Sequence, residues 1–556
     1  MYKHFMKEYL DLGHMEPVRS SESPSQAYYM PHHAVIKESS STSKIRVVFN
    51  ATSKSSSGLS LNDILMTGPR IQQELFPVLV KFRCYPVVVT ADIMKMFRQI
   101  LVNEEDRNFQ RIFWRDRPSD PIQEFRLNTV TYGTASAPYL ATRALYQLAY
   151  DEQNNYPLAS KAVLQNFFVD DCLVGCSNTE ECKNLVNQLL QMLERGGFLL
   201  RKWSSNDLSV LENIPQELRN DSEAMKIQDD SSIKVLGINW NPREDYFNFS
   251  VSISEMWKLH LSWDEPVSYE IANKWKTFQN DLHLIQQLKI PRFVLIPDVN
   301  YIDICAFCDA SEKGYCAAIY LRSVSRNLDI KVTLLTSKTR VAPLKVQSLP
   351  RLELCAAVLL VNLLKSVLEH LEFPIRKVLA WTDSTVVLSW IFAEPYRWVP
   401  FVANRVAKIQ NTIPNVRWNH INGKRNPADS GTRGMFPAEF LKCERWFIGP
   451  TWLYSQDFEP CPDSEHLSDV DYEGVQIEAR PTQIMGDLPS PRVQPSRPFA
   501  VTGVDYAGPY SIKSQVGRRT KTFKCYISIF VCFSTKAVHL ELVSDLSTST
   551  FLAALK

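Results

Sequence analysis

The sequence predicts a multidomain protein of mixed α/β and α+β class, and three observations lead there. From about residue 28 to 240, strand-like and helix-like segments alternate. A second alternating unit begins near 300. Between 456 and 480 the chain carries eight acidic residues and one basic, then turns Pro-rich from 481 to 498, the composition of a linker before a last apolar-rich piece. A length of 556 residues suits about three domains.

The elements follow in order from residue pattern. Ile45 to Asn50 is apolar and β-branched and predicts a strand. Leu61 to Lys81 predicts a helix, and Val87 to Ala91 a buried strand. Ser136 to Tyr150 has helical apolar spacing. Val163 to Val169 and Cys172 to Gly175 predict a hairpin around Asp170-Asp171. Asn178 to Gly196 is an amphipathic helix that Gly196-Gly197 stops. Asn206 to Ser232 is polar and predicts a loop excursion, followed by a short strand at Val235 to Trp240. In the second unit, Tyr301 to Cys308, Tyr315 to Leu321 and Val332 to Ser337 predict strands, Arg351 to Glu369 a helix, and Val378 to Thr382 another strand.

Composition excludes several classes. The chain is 45% apolar and 22% charged, ordinary for globular protein, and its net charge of +2 says nothing for or against a polyanionic partner. It has no run of 18 apolar residues, and Met1-Tyr2-Lys3-His4-Phe5 opens no signal-peptide core, so no membrane partner and an intracellular location are expected, in a cytoplasmic particle or the nucleus. Cysteines are scattered. Cys305-x2-Cys308 lies inside an expected strand without a second pair, which reads as buried thiols rather than a zinc site.

Acidic residues at strand ends carry the chemistry. Asp92 ends the apolar run from Pro86 to Ala91, and Asp170-Asp171 end the run from Val163 to Val169. Adjacent carboxylates repel one another and are most readily kept where cations neutralise them. Oxygen-rich acidic sites suit Mg²⁺, with Mn²⁺ as the alternative, and carboxylate-bridged metal pairs serve phosphoryl and nucleotidyl transfer. In the second unit Asp309 follows a strand, Glu353 lies near the start of a helix, Asp383 follows another strand, and Asp429 sits in Asn426-Pro427-Ala428-Asp429. Each acid taken singly reads more simply as a solvated surface group; the ordered set does not. His420, nine residues before Asp429, reads as a strand-end surface histidine.

With these residues in view, the chain resembles the Pol polyprotein of BEL/Pao-type long-terminal-repeat retrotransposons. Residues 28–240 resemble its reverse transcriptase fingers and palm. Tyr29-Met30-Pro31-His32-His33-Ala34-Val35 and Lys44-Ile45-Arg46-Val47-Val48-Phe49-Asn50-Ala51 resemble fingers segments, and the resemblance implies that Arg46 contacts the incoming triphosphate. It likewise implies that Phe97 is the steric gate against a ribose 2′-hydroxyl, that Tyr132 and Gly133 with Ser136-Ala137-Pro138 position template and nucleotide, and that Lys202 lies near the pyrophosphate. Val235-Leu236-Gly237 resembles the primer grip. Asp92, Asp170 and Asp171 would be the polymerase metal ligands.

Residues 299–435 resemble a ribonuclease H-like domain, with Asp309, Glu353, Asp383 and Asp429 as the catalytic and metal-binding carboxylates. Residues 499–556 resemble the N-terminal part of an integrase catalytic core, a third, partial ribonuclease H-like fold. Thr502-Gly503-Val504-Asp505-Tyr506-Ala507-Gly508-Pro509 and Lys536-Ala537-Val538-His539-Leu540-Glu541 carry that likeness, with Asp505 as the first metal-binding acid. The family's second aspartate and later glutamate have no counterpart in the 51 residues after Asp505, and Asp545 sits in a different context. Neither the zinc module that precedes such a core nor the upstream aspartic protease is found. Residues 1–27 are expected as an N-terminal extension, 241–298 as a shortened thumb or connection, and 436–498 as linker. The shortening falls where Val251-Ser252-Ile253-Ser254 runs directly into Glu255-Met256-Trp257. The resemblance implies RNA-directed DNA polymerase and ribonuclease H activities acting on RNA template, DNA primer, RNA–DNA hybrid and deoxynucleoside triphosphates. The rival reading is a non-catalytic nucleic-acid-binding remnant of a decayed or domesticated element.

Overall fold

Two apolar residues three apart, Met6 and Tyr9, give α1 (Tyr2–Asp11) one buried face. That face packs on β2 (Ile45–Phe49), whose Val47 and Phe49 alternate inward as strand periodicity requires. β1 (His32–Ile36) pairs antiparallel with β2, His32 opposite Phe49. The computed structural model describes residues 1–18, 27–36, 45–220, 233–235, 238–248, 269–343, 345, 347–456, 478–479, 494, 496–513 and 522–555. The chain divides into two compact units, residues 1–479 and 480–556.

Within the first unit, α2 (Leu75–Cys84) leads into β3 (Val87–Ile93). The expected helix from Leu61 to Lys81 is in fact two, a short turn at Leu61–Ile64 and then α2. Gly68 adopts φ +73° and Pro69 follows it, a pair that no continuous helix accommodates. Then come α3 (Ala137–Asp151), α4 (Pro157–Asn166), β4 (Phe167–Phe168), β5 (Asp171–Cys176), α5 (Thr179–Arg195) and β6 (Leu200–Ser205). The expected strand from Val163 is also corrected. Ala159, Ser160, Ala162 and Val163 bury one helical face, so α4 continues to Asn166 and only Phe167–Phe168 remain extended. Asn178 caps α5 by accepting from the Glu181 amide at 2.9 Å. The palm sheet runs β4-β5-β3-β6, each pair antiparallel. Val235 to Trp240 is not one strand: Ile233–Val235 and Ile238–Asn241 pair with each other, Val235 opposite Ile238.

The second half of this unit is built on β7 (Val299–Ala310), β8 (Gly314–Ser325), β9 (Ile330–Val341), α6 (Leu349–Leu368), β10 (Ile375–Thr382), α7 (Thr385–Phe392), α8 (Pro400–Thr412), β11 (Arg417–His420) and α9 (Asp429–Arg433). The sheet order is β9-β8-β7-β10-β11, antiparallel among the first three and parallel among the last three. The central strand β7 is buried on both faces. Ile304, Ala306 and Cys308 share a core with Leu354, Ala357 and Val361 of α6. Cys305 and Phe307 point the other way, into a core with Trp381, Trp446 and Leu453. This alternation corrects the linker expected from 436. Trp446 and Leu453 are buried, and Arg322 of β8 donates to the carbonyls of Leu453 and Ser455 at 2.7 and 2.8 Å. Residues 436–455 thus form the cover of the sheet's second face. Both thiols of Cys305-x2-Cys308 are buried, as expected.

The two halves meet through α2. Val80 and Cys84 belong to the same core as Ile302, Leu360 and Val294. Arg292, fully buried, donates from Nε and Nη2 to both oxygens of Asp245 at 2.5 and 2.6 Å, and to the carbonyls of Phe82, Tyr85 and Pro86 at 2.5, 2.8 and 3.2 Å. Residues 249–268, where the expected thumb is shortened, and Leu236-Gly237 of the expected primer grip lie outside the described residues, as does most of 457–498.

In the second unit β12 (Thr502–Lys513), β13 (Thr522–Cys532) and β14 (Val538–Val543) form an antiparallel sheet in that order. Val504, Ile512, Phe523, Leu540 and Leu542 are exposed on it.

Replacing Arg292 with Met would leave Asp245 and three buried carbonyls short of donors. The expected cost is about 3–5 kcal/mol, read as a lowered urea midpoint; an unchanged midpoint would show that the junction does not depend on this side chain.

Candidate active sites

β3 and β5 pair so that Asp92 stands directly opposite Asp171, with Asp170 one residue further round the turn. Like charges opposed across a ladder are destabilising. At a separation of about 5 Å and an effective dielectric of about 20, the bare repulsion is about 3 kcal/mol. Two cations from β6, the other neighbour of β3, offset it. Arg201 Nε lies 3.0 Å from Asp92 Oδ1 and Lys202 Nζ 2.6 Å from Oδ2. Among the described residues Asp170 and Asp171 have no such partner pair. Burial, then Asp92, raises Asp170 above the usual carboxylate range, and burial, then Asp170 and Asp92, pushes Asp171 up to about 6. The turn itself is strained, with β-branched Val169 at φ 56°, and so is β6 at Lys202, φ 54°. Backbone of this kind costs about 1–3 kcal/mol per residue and persists where the surrounding fold imposes it.

The other sequence-predicted residues of this half form a second group nearer α1. The Arg46 guanidinium lies 5.1 Å from the centre of the Tyr132 ring. The Tyr132 hydroxyl donates to the Val47 carbonyl at 2.5 Å. Gly133 has φ +99°, and a Cβ there would lie 2.7 Å from the Phe49 carbonyl oxygen, so only glycine fits. Phe97 lies in a 3₁₀ turn, Met96–Gln99, and packs half-buried against the palm core.

In the second half, the fold gathers the predicted acids at one end of the sheet. Asp309 ends β7, Asp383 follows β10, Glu353 is in the first turns of α6, and Asp429 opens α9. Asp309 and Asp383 stand at the ends of adjacent strands β7 and β10, close enough to influence each other's charge. Burial, then the charges of Asp383 and Asp429, raises Asp309; burial, then the charges of Glu353 and Asp429, raises Asp383; burial, then Asp309, raises Glu353. Thr432 Oγ1 donates to Asp309 Oδ2 at 2.9 Å, and Arg433 Nε to Asp429 Oδ1 at 2.8 Å. His420, expected as a surface residue, is half-buried, with Nε2 3.2 Å from the Asp383 carbonyl.

Several contributors were not singled out from sequence. Fully buried Asn426 donates to the Cys308 carbonyl at 2.9 Å and accepts from the Ala428 amide at 3.1 Å, which ties the Asp429 segment to β7. Ser384 hydrogen-bonds Glu353 and caps α7 through the Val387 amide at 3.2 Å. Arg201 was passed over beside Lys202. Only its alternation with neighbours along β6 could have flagged it.

The donor sets suit a hard divalent cation. Asp383 Oδ1 is buried and has no hydrogen-bond partner among the described residues, and a Cβ on Gly423 would meet Asp383 Oδ2 at 2.8 Å. Among the described residues no three His, Cys, Asp or Glu side chains already stand at coordinating spacing. The carboxylates instead crowd one another or meet nearby cations: Asp92 is held by Arg201 and Lys202, and Asp309 stands near Asp383. In the second unit Asp505 is exposed opposite Ile529, its Oδ1 accepting its neighbour Tyr506's amide. Asp545 is occupied by Ser547 and Thr550, whose hydrogen bonds hold its carboxyl down at about 2.

An antiparallel palm with acids at the β3–β5 ends, joined to a five-stranded mixed sheet with acids at one edge, defines a polymerase–nuclease class of protein. Residues 41–239 match the reverse transcriptase (RNA-dependent DNA polymerase) family, and residues 246–384 match the Pao retrotransposon-like RNaseH-like domain. The chain thus carries a reverse transcriptase domain followed by a Pao retrotransposon-like RNaseH-like domain. Among solved structures, it is similar to a foamy viral protease-reverse transcriptase dRH in complex with ds DNA, at 12% identity, TM-score 0.45, over 76% of this chain and 69% of that one. It is also similar to a foamy viral protease-reverse transcriptase in complex with RNA/DNA hybrid, at 10% identity, TM-score 0.44, over 99% of this chain and 63% of that one. No curated protein matches. No helix among the described residues is long and apolar enough to cross a membrane.

The crowding predicts a trade of stability against function. Asp171 ordinarily titrates near 3.8 and here near 6, so the folded state binds more protons than the unfolded one between those values. Stability from this group is therefore lost as pH rises from about 4 through 6. Asp171→Asn should raise the melting temperature in EDTA at pH 8, and the gain should vanish at pH 4. A gain independent of pH would show that the carboxylate's charge is not its source.

Proposed function

We propose that the chain carries two separate phosphoryl-transfer centres. Asp92, Asp170 and Asp171 serve nucleotide addition, and Asp309, Glu353, Asp383 and Asp429 serve hydrolysis of the RNA strand of RNA–DNA hybrids. The observation that carries the reading is the pairing of Asp92 with Asp171 across two strands, repeated in kind by Asp309 and Asp383. Both clusters hold mutually repelling carboxylates whose charge a divalent cation would complete. Mg²⁺ or Mn²⁺ bound there would activate the attacking oxygen and neutralise charge on the phosphate, with a second ion serving the leaving oxygen.

The chain's own residues supply the rest. Lys202, 2.6 Å from Asp92, would meet the phosphates of a deoxynucleoside triphosphate. Arg46, held over Tyr132, offers a planar cation to the same phosphates. Phe97 closes the space beneath the sugar. At the second centre Thr432 and Ser384 hold the orientation of Asp309 and Glu353. RNA template, DNA primer and RNA–DNA hybrid are the partners that this pair of activities requires. Backbone contacts by Lys and Arg make binding salt-sensitive, and hybrid is read in the wide minor groove through 2′-hydroxyls. Residues 499–556 are proposed as the opening strands of an integrase-type core, supported by Asp505 on the first strand of an antiparallel sheet.

Two substitutions separate the centres. Asp170→Asn should reduce nucleotide incorporation to background and leave hybrid cleavage at the parent rate. Gly423→Ala should do the reverse, because its Cβ would displace the Asp383 carboxylate. The measurements are primer extension and cleavage of a labelled hybrid on one folded preparation. Loss of both activities from either change would refute two independent centres.

A further inference from the structure

α1 lies ahead of the residues that match the reverse transcriptase family, which begin at 41. It nevertheless touches both parts of the nucleotide-side cluster. Glu8 forms an ion pair with Lys95, and its Oε1 lies 3.1 Å from Arg98 Nη2. Lys95 is the residue that opens the 3₁₀ turn carrying Phe97, and Arg98 lies within that turn, next to Phe97. Lys95 is left-handed, φ 53°, and its carbonyl accepts from the Arg98 amide at 2.8 Å. Strained backbone of that kind persists where surrounding contacts impose it.

Arg98 is nearly fully buried. Its guanidinium lies 4.0 Å from the centre of the Tyr9 ring, and its Nε donates to His14 Nδ1 at 2.9 Å. Removing Glu8 would leave a buried cation with aromatic and imidazole partners only, a poor substitute for a carboxylate. The second contact runs through Tyr9. It is buried in the core on which Tyr132 packs, its ring 5.9 Å from that of Phe49, which lies 5.8 Å from Tyr132, and the Tyr132 hydroxyl beside it donates to the Val47 carbonyl. Tyr132 is the ring over which Arg46 is held. One face of one helix therefore grips the Phe97 turn through Glu8 and the Arg46–Tyr132 pair through Tyr9.

We infer that α1 is part of the nucleotide-selecting apparatus, with Glu8 the positioning residue for the Phe97 turn and Tyr9 the positioning residue for Tyr132 and Arg46. Neither side chain needs to touch the nucleotide. This rests on the assignment of Phe97 and Arg46 to the nucleotide site, and the test is arranged to tell the two apart.

Full-length Glu8→Gln, Glu8→Asp, Tyr9→Phe and Phe97→Ala variants are compared with the parent. Three quantities are measured: the dissociation constant of a matched deoxynucleotide from a complex with chain-terminated primer–template, the preference for deoxyribo- over ribonucleotide in extension, and the rate of hybrid cleavage. Glu8→Gln should weaken nucleotide binding about tenfold, the size expected for one charge-assisted contact. It should lower the deoxyribonucleotide preference and leave hybrid cleavage unchanged. Glu8→Asp should recover part of both, since the charge is kept. Tyr9→Phe should weaken nucleotide binding with less effect on sugar preference. If Phe97→Ala relaxes sugar selection while Glu8→Gln keeps parental binding and preference, the inference is wrong and the site assignment stands. If Phe97→Ala also leaves selection unchanged, the assignment itself fails. Equal loss of incorporation and hybrid cleavage in Glu8→Gln, with a lower melting temperature, would reduce α1 to general support of the fold and overturn the inference.

Discussion

A guanidinium with no solvent contact is expensive unless every donor is used, and Arg292 uses all five. Two go to Asp245 and three to the carbonyls of Phe82, Tyr85 and Pro86. Those carbonyls lie at the end of α2 and the start of β3, the strand that carries Asp92. Arg292 itself lies seven residues before β7, the strand that carries Asp309. A single side chain thus joins the lead-in of one catalytic strand to the lead-in of the other. Arg83 repeats the arrangement by donating to the Arg292 and Pro291 carbonyls, and Lys331 of β9 caps the Phe293 and Leu295 carbonyls at 2.9 Å. The apolar contacts of Val80 and Cys84 with Val294 and Ile302 supply non-directional attraction. The hydrogen bonds supply the register.

The two centres share a logic of opposed charges held by rigid strands. At the palm, Arg201 and Lys202 offset Asp92, while Asp170 and Asp171 bear the repulsion. At the other centre, among the described residues, no cation stands that close to Asp309 or Asp383, and burial with the neighbouring carboxylates' charge raises both. The difference follows from strand neighbours. β3 has β6, with two basic residues, on its open side. β7 is flanked by β8 and β10, whose inward residues at that end are apolar or small: Cys316 and Trp381. The same carboxylate chemistry is therefore poised differently in the two halves.

Much of the architecture was legible because strand and helix periodicity survive in the linear chain. β7, β8, α6, α5 and the acids at strand ends follow from apolar spacing and from the position of Asp after β-branched runs. The readings that failed did so for a common reason. A stretch of seven residues, Val163 to Val169, five of them apolar, fits a strand or the end of a helix equally well, and only burial against the palm sheet decided for α4. Phe436 to Ser455 looked like linker by its surroundings, and its Trp446 and Leu453 took on meaning only once β7 was seen to be buried on both faces.

The sequence by itself determined which acids could act and on which strands they lie, because residue type and alternation are local properties. The tertiary structure decided which of them meet, which cations offset them, and that α1 reaches both Phe97's turn and Tyr132. Those outcomes join Glu8 to Lys95, Asp92 to Lys202 and Asp245 to Arg292, pairs separated by tens of residues or more. Side-chain charge is written along the chain, but its partner is set by which strands pack side by side, and that depends on the summed burial of the whole core.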